Sequence, residues 1–215
     1  MDVVLPWLPS MGRGLVTTLW LSGLVLVIAS IIGAVGGLAI VSGPRPVRAL
    51  LRGYVDVVRG IPILVLLFAV YFGSSAFGRG LDNGPAAVVA LSIFAGAHMT
   101  ELVRGGIGSL PRATLEAAEM VGLTATQRVR FVIAPLVLPR ILPPWVNTAV
   151  EIVKATSLAS LIGVIDLLYA TQSAVGTARH PIEFYVAAAM IYFVLGAGLS
   201  RLGAVAERRY RYLEY

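Results

Sequence analysis

Three ionisable side chains sit where charge is costly. Glu101 closes one long apolar run, and Glu151 and Lys154 interrupt another. A charge among lipid tails is expensive, so such a group faces a cavity or a partner. On a helix, Glu151 and Lys154 would share a face at i, i+3 spacing. A carboxylate beside an ammonium would suit a zwitterion in a polar pocket. The competing reading is a self-satisfying pair, or side chains that snorkel to the interface. Thr156 and Ser157, with Ser160, add hydroxyls just beyond. They would meet a solute or bond back to carbonyls of their own helix. Arg59 precedes Gly60-Ile61-Pro62, where the proline marks an irregular start to the next apolar run. In a membrane, such a start is tolerated where protein or a cavity satisfies the freed backbone. Asn147 behind Pro143 and Pro144 suggests a second broken helix entry. The candidate solute contacts are therefore Glu101, Glu151, Lys154, Thr156, Ser157, Arg59 and Pro62. His98 reads as a buried, hydrogen-bonded side chain rather than a ligand or proton carrier.

Nothing in the chain reads as catalytic. Lys154, the only lysine, follows Val153, so there is no glycine-rich phosphate loop. No serine has an obvious base beside it. The chain has no cysteine, which excludes disulfides and thiolate metal sites. His98 and His180 are far apart and do not make a metal site. The expectation is a chain that is not an enzyme and holds no metal or cofactor of its own.

The elements around these residues are membrane spans. The composition is 58% hydrophobic and 13% charged, with mean hydropathy +0.86. A soluble domain carries about a quarter charged residues. The chain reads as one all-α integral membrane domain over residues 1–215, with five transmembrane helices near 14–41, 61–77, 85–103, 145–170 and 182–206. Each has roughly the 20 residues that a bilayer core requires. The first run is too long for a signal peptide and reads as a retained span. It contains Gly33 and Gly37 in a Gly-x-x-x-Gly pair, a spacing that lets helices approach closely in lipid.

The net charge of +6 comes mostly from arginines in loops, so it reads as topology rather than nucleic-acid binding. Arg45, Arg48, Arg52 and Arg59 lie in the 42–60 loop. Arg104, Arg112, Arg128, Arg130 and Arg140 lie in 104–144, and Arg208, Arg209 and Arg211 in the tail. The opposite side has only Arg13, Arg79 and Arg179. The positive-inside rule places the Arg-rich loops in the cytoplasm, the N-terminus outside and the C-terminus inside.

The 111–135 loop is polar yet patterned. Local signals suggest two short helices, with Glu116 and Glu119 as early acids of the first. Gly122 suits a left-handed C-terminal cap. Thr124 and Gln127 fit a capping box opening the second helix, and Pro135 would end it. The loop would be a rigid elbow on the cytoplasmic side.

Its residues Glu116-Ala117-Ala118-x-x-x-Gly122, with Val132-Ile133-Ala134-Pro135 downstream, resemble the EAA loop of bacterial ABC importer permeases. Ala134 stands where that family usually has leucine. Thr18-Leu19-x-x-Ser22, Val58-Arg59-Gly60-Ile61-Pro62, the Glu101–Ile107 run, Pro143-Pro144-Trp145-Val146-Asn147 and the Lys154–Val164 run resemble the polar amino acid uptake subfamily. The resemblance covers roughly residues 12 to 210. Ile61, Ala155, Val146 and Glu151 depart from its usual pattern.

The resemblance implies a type I ABC importer transmembrane domain, the permease subunit for an amino acid or related polar solute, working by alternating access. It implies two ABC ATPase subunits that bind ATP and Mg, a second permease (identical or a sister chain), an extracytoplasmic solute-binding protein and a bacterial cytoplasmic membrane. Glu116, Ala117, Ala118, Gly122 and Arg128 would couple to the ATPase through a cytoplasmic coupling helix. A compatible-solute or methionine-type permease is a neighbouring possibility, and an ATP-independent channel or transporter is an alternative of a different class.

Overall fold

A computed structural model describes residues 3–76, 78 and 80–210 of the chain. Phe77, Arg79 and Arg211, which enter the span and charge readings above, lie outside the described residues, as does the side chain of Arg209. All regular structure among the described residues is helical. A turn of 3-10 helix at Leu5–Trp7 leads into α1 (Leu8–Ser42), followed by α2 (Arg45–Gly60), α3 (Ile63–Ala76) and α4 (Asn83–Gly108). Next come α5 (Arg112–Met120), α6 (Ala125–Arg128), a π-turn at Val129–Ile133 and α7 (Ala134–Ala155). A 3-10 stretch, Thr156–Ile162, extends α7, and α8 (Leu167–Ala178) and α9 (Pro181–Tyr210) complete the chain.

Four segments are long and apolar enough to cross a membrane: Leu5–Ser42, Asn83–Gly108, Ala125–Ile162 and Pro181–Arg208. α2 and α3, bent by 107° at the break between them, pass the same test only as a pair and make a fifth if that pair is one span. The Arg-rich 42–60 segment is thus a helix rather than a loop. Pro44 is its N-cap and Pro46 lies in its first turn, where a proline sacrifices no helical bond. On a helix, Arg45, Arg48, Arg52 and Arg59 fall within about 60° of arc. Leu51, Val55 and Val58 lie to one side of that row, and Val55 and Val58 are buried.

The fourth span also differs from the expected 145–170. It starts well before Trp145 and ends at Ile162, because Gly163 takes φ 87° and turns the chain. Neither Pro135 nor Pro143-Pro144 breaks it. Pro135 lies in the first turn of α7, and Pro139, Pro143 and Pro144 are inside the helix. The prolines leave the carbonyls of Pro135, Pro139 and Arg140 without their helical amide donors, a loss that neighbouring groups compensate in a membrane helix.

The glycines of α1 set the tightest contact in the fold. A Cβ on Gly33 would overlap Met99, and one on Gly37 would overlap Val103 and lie 3.0 Å from the Thr100 carbonyl oxygen. α1 and α4 are therefore clamped backbone to backbone, as the Gly-x-x-x-Gly spacing predicts. Around this seam lies the main core, with Leu21, Val25, Leu67, Leu91, Met99 and Ile152 buried. Trp145 on α7 donates to the Ser30 hydroxyl of α1 at 3.0 Å and ties the two helices together.

Candidate functional site: a polar cavity and an exposed elbow

Two stripes of residues face one another across a cavity of about 480 Å³. From α4 come His98, Glu101, Leu102, Gly105, Gly106 and Ser109, at the spacing of one helical face. From α7 come Arg140, Ile141, Pro144 and Thr148, and Arg59 reaches in from the end of α2. The cavity extends to Ser109, at the end of α4 next to the 111–135 segment.

Within it, Glu101 is already spoken for. Its two oxygens accept from Arg104, at 2.8 Å from Nε and 2.6 Å from Nη2. This fork makes a strong, directional ion pair. Arg140 donates through Nη1 to the Ser109 carbonyl at 2.8 Å, joining the two walls. The Nδ1 of His98 lies 3.0 Å from the Phe94 carbonyl, which can only accept, so Nδ1 carries a proton and Nε2 is left over. Thr148 donates to the Pro144 carbonyl at 3.0 Å. Arg59 forms no ion pair among the described residues.

The structure separates the residues singled out from sequence. Arg59 and Glu101 line the cavity. Glu151 and Lys154 are exposed and form no ion pair among the described residues, so the self-satisfying pair is not made. Glu151 follows Thr148 by three positions and continues its stripe beyond the cavity. Thr156 is fully buried and donates to the Val153 carbonyl at 2.8 Å, and Ser157 donates to the Lys154 carbonyl at 2.6 Å. The 3-10 winding there turns both hydroxyls onto their own helix, so Thr156 is withdrawn from any solute. Pro62 sits exposed in the bend between α2 and α3. Arg140, Thr148 and the cavity-facing role of His98 escaped the sequence reading. The signal was the spacing of Arg140, Pro144 and Thr148, four residues apart each time.

The elbow is built from local rules. α5 ends in a Schellman cap. Gly122 at φ 79° donates to Glu119 at 2.9 Å, and Leu123 donates to Ala118 at 3.3 Å. The capping box forms as the spacing predicts. Thr124 N donates to the Gln127 side chain at 2.9 Å, and Gln127 N donates to the Thr124 hydroxyl at 3.4 Å. Glu116 and Glu119 are not early acids, since α5 begins at Arg112 and Glu119 falls in its last turn. Glu119 instead holds Arg128 at 3.3 Å, pinning α5 to α6. Ala118 is the buried residue of α5, Ala117 and Glu116 are exposed, and the tip presents Met120 at 88% and Val121 at 79% exposure.

A bundle of apolar spans, a cavity lined by Arg59, Glu101 and Arg140 among apolar side chains, and an exposed apolar tip on the 111–135 elbow are the features of a membrane transport subunit. The chain belongs to the binding-protein-dependent transport system inner membrane component family, whose pattern matches residues 26–212. It is the permease subunit of an ABC importer. It is 34% identical to the L-cystine transport system permease protein TcyB of Bacillus subtilis, over 94% of this chain and 86% of that one. It is 32% identical to the glutamine transport system permease protein GlnP of Escherichia coli, over 99% and 98%. A crystal structure of an amino acid ABC transporter with histidines superposes with TM-score 0.88 at 32% identity, covering 96% of each chain. Permeases of this family work with an ATPase and a substrate-binding protein and are not themselves enzymes.

Proposed function

We propose that the cavity between α4 and α7 is the solute pathway of an importer for an amino acid or a closely related carboxylate-bearing solute. The observation that carries this reading is Arg59, a guanidinium facing the cavity while the nearby carboxylate of Glu101 is taken by Arg104. A guanidinium fork matches a carboxylate. The names of the relatives, cystine and glutamine permeases, support the same class.

The positive-inside rule, applied to the Arg-rich elements, supports a cytoplasmic elbow with the N-terminus outside and the C-terminus inside. In that orientation the cavity is open inward and the opposite end is packed. Two ATPase subunits, holding the ATP and Mg, dock on Glu116, Ala117, Met120 and Val121. A second permease, identical or a sister chain, completes the pathway. ATPase closure drives the elbow, and solute is handed in from the binding protein and released inward. Coupling requires that solute bind the two states unequally.

The test is solute-dependent ATP hydrolysis by the complete importer in lipid discs, across a panel of amino acids with their binding protein. Arg59→Gln removes a charged hydrogen bond. It is expected to raise the half-saturating solute concentration about tenfold or more. An unchanged concentration dependence would overturn the contact.

A further inference from the structure

At the end of the bundle opposite the elbow, the turn at Gly163–Asp166 is tied to three other elements. The side chain of Asn83, at the start of α4, donates to the Gly163 carbonyl at 2.7 Å. The Leu167 amide donates to the hydroxyl of Thr18, on α1, at 3.2 Å. Gly14 lies so close that a Cβ there would be 2.5 Å from the Asp166 carbonyl oxygen. The Asp166 carboxyl caps α8, accepting from the Tyr169 amide at 2.8 Å, and it accepts from the hydroxyl of Tyr192, on α9, at 3.4 Å.

Asp166 is 0% exposed and forms no ion pair among the described residues. The groups that face it are few. α1 brings Thr18 and, in a crevice shared with Ile165 and Tyr169, Arg13. α9 brings Tyr192, α8 the Tyr169 amide, and the tether from α4 is the neutral Asn83. Nothing in the transport reading above uses this carboxyl. Yet alternating access requires this packed end to open.

We propose that Asp166 is a positioning residue of the outer gate: with Thr18 and Tyr192 it holds the 163–166 turn shut on α1 and α9, and loss of its proton to extracytoplasmic water loosens that hold so the cavity can open outward. The proposal rests on the inward-open reading given above. Burial pushes the Asp166 carboxyl up to about 6, against the hydrogen bonds from Tyr169 and Tyr192, which lower it. In an opened turn, water returns it to the ordinary range near ~4. The shut turn therefore binds the proton more tightly. Its advantage is complete in acid and is lost as pH rises through about 6.

Because the chain has no cysteine, a single thiol reports the gate cleanly. Val164→Cys replaces a side chain 6% exposed, and Ile165→Cys one 63% exposed. Right-side-out membrane vesicles carrying the whole importer are treated from outside with a membrane-impermeant methanethiosulfonate. The Val164→Cys rate is divided by the Ile165→Cys rate at the same pH, which cancels the thiolate fraction. The ratio is expected to rise several-fold with external pH, with its midpoint near 6. Asp166→Asn keeps the helix cap but cannot ionise, so the ratio should stay at its acid value throughout. Tyr192→Phe removes one tether and should raise the ratio in acid. A flat ratio with Asp166 present, or a pH step surviving in Asp166→Asn, overturns the latch, and an unchanged ratio in Tyr192→Phe overturns the α9 tether. Co-purification with the ATPase separates failures. A chain that binds its ATPase but shows no step sinks only the latch, whereas one that does not bind it sinks the importer reading beneath.

Discussion

The elbow and the 163–166 turn are written in the same local grammar and put to opposite use. Each has a glycine at positive φ, Gly122 at 79° and Gly163 at 87°, followed within three residues by an N-cap, Thr124 or Asp166. The elbow closes its bonds within itself and leaves Met120 and Val121 in the open. The turn spends its bonds on α1, α4 and α9 and buries Val164 and Asp166. Local sequence sets the shape of a turn, and its tertiary partners decide whether it is a docking tip or a bolt.

The contrast breaks first at the tip. Glu116 is exposed and forms no ion pair among the described residues, so Glu116→Lys should leave the melting temperature of the purified chain unchanged while abolishing ATPase association and coupled uptake. Retained association in a pull-down would remove the elbow from the docking role. Next come the two glycines. A side chain in the left-handed region costs about 1–2 kcal/mol, and a β-branched one fits it worst. Gly163→Val also meets Asn83 at 3.4 Å, whereas a Cβ on Gly122 meets nothing within 4 Å. Thermal melting should therefore fall for both, and further for Gly163→Val. Equal losses would mean the turn is no better tethered than the elbow. The smallest effect is Arg128→Gln. Its pair with Glu119 is partly exposed and is worth at most about 1 kcal/mol, diminished by salt. The melting temperature should hardly move, while ATPase affinity drops modestly as α6 loses its pin on α5.

What was legible in the sequence follows the same division. The elbow's glycine and capping box depend on neighbours a few residues away, so they could be read directly. The outer turn hides inside an apolar run, and its key bond joins Leu167 to Thr18 across most of the chain. The prolines and arginines of α2 look like loop punctuation in the sequence. Those prolines occupy the helix start, and the arginines fall on one face. Glu101 is legible because a charge at the end of an apolar run draws notice, and Arg59 because it stands before the irregular Gly60-Ile61-Pro62 start of the next run. Arg140 and Thr148 are not, since each looks ordinary until α7 is seen to run unbroken past Pro143 and Pro144. The hydroxyl of Thr156 promised a contact that 3-10 winding gives to Val153.

The walls of the cavity are mechanically unlike. α4 is bolted to α1 through Gly33 and Gly37 and acts as a stiff plate. α7 is a shaft with a soft coil at Val129–Ile133 and struts missing below Pro139, Pro143 and Pro144. If the ATPase docks at Met120 as proposed, its push would enter through that coil, and the shaft would bend where its struts are absent. On the proposed transport reading, α7 is the moving jaw and α4 the fixed anvil between which the solute would pass. Stiffening the shaft, rather than loosening the plate, is what would stall the machine.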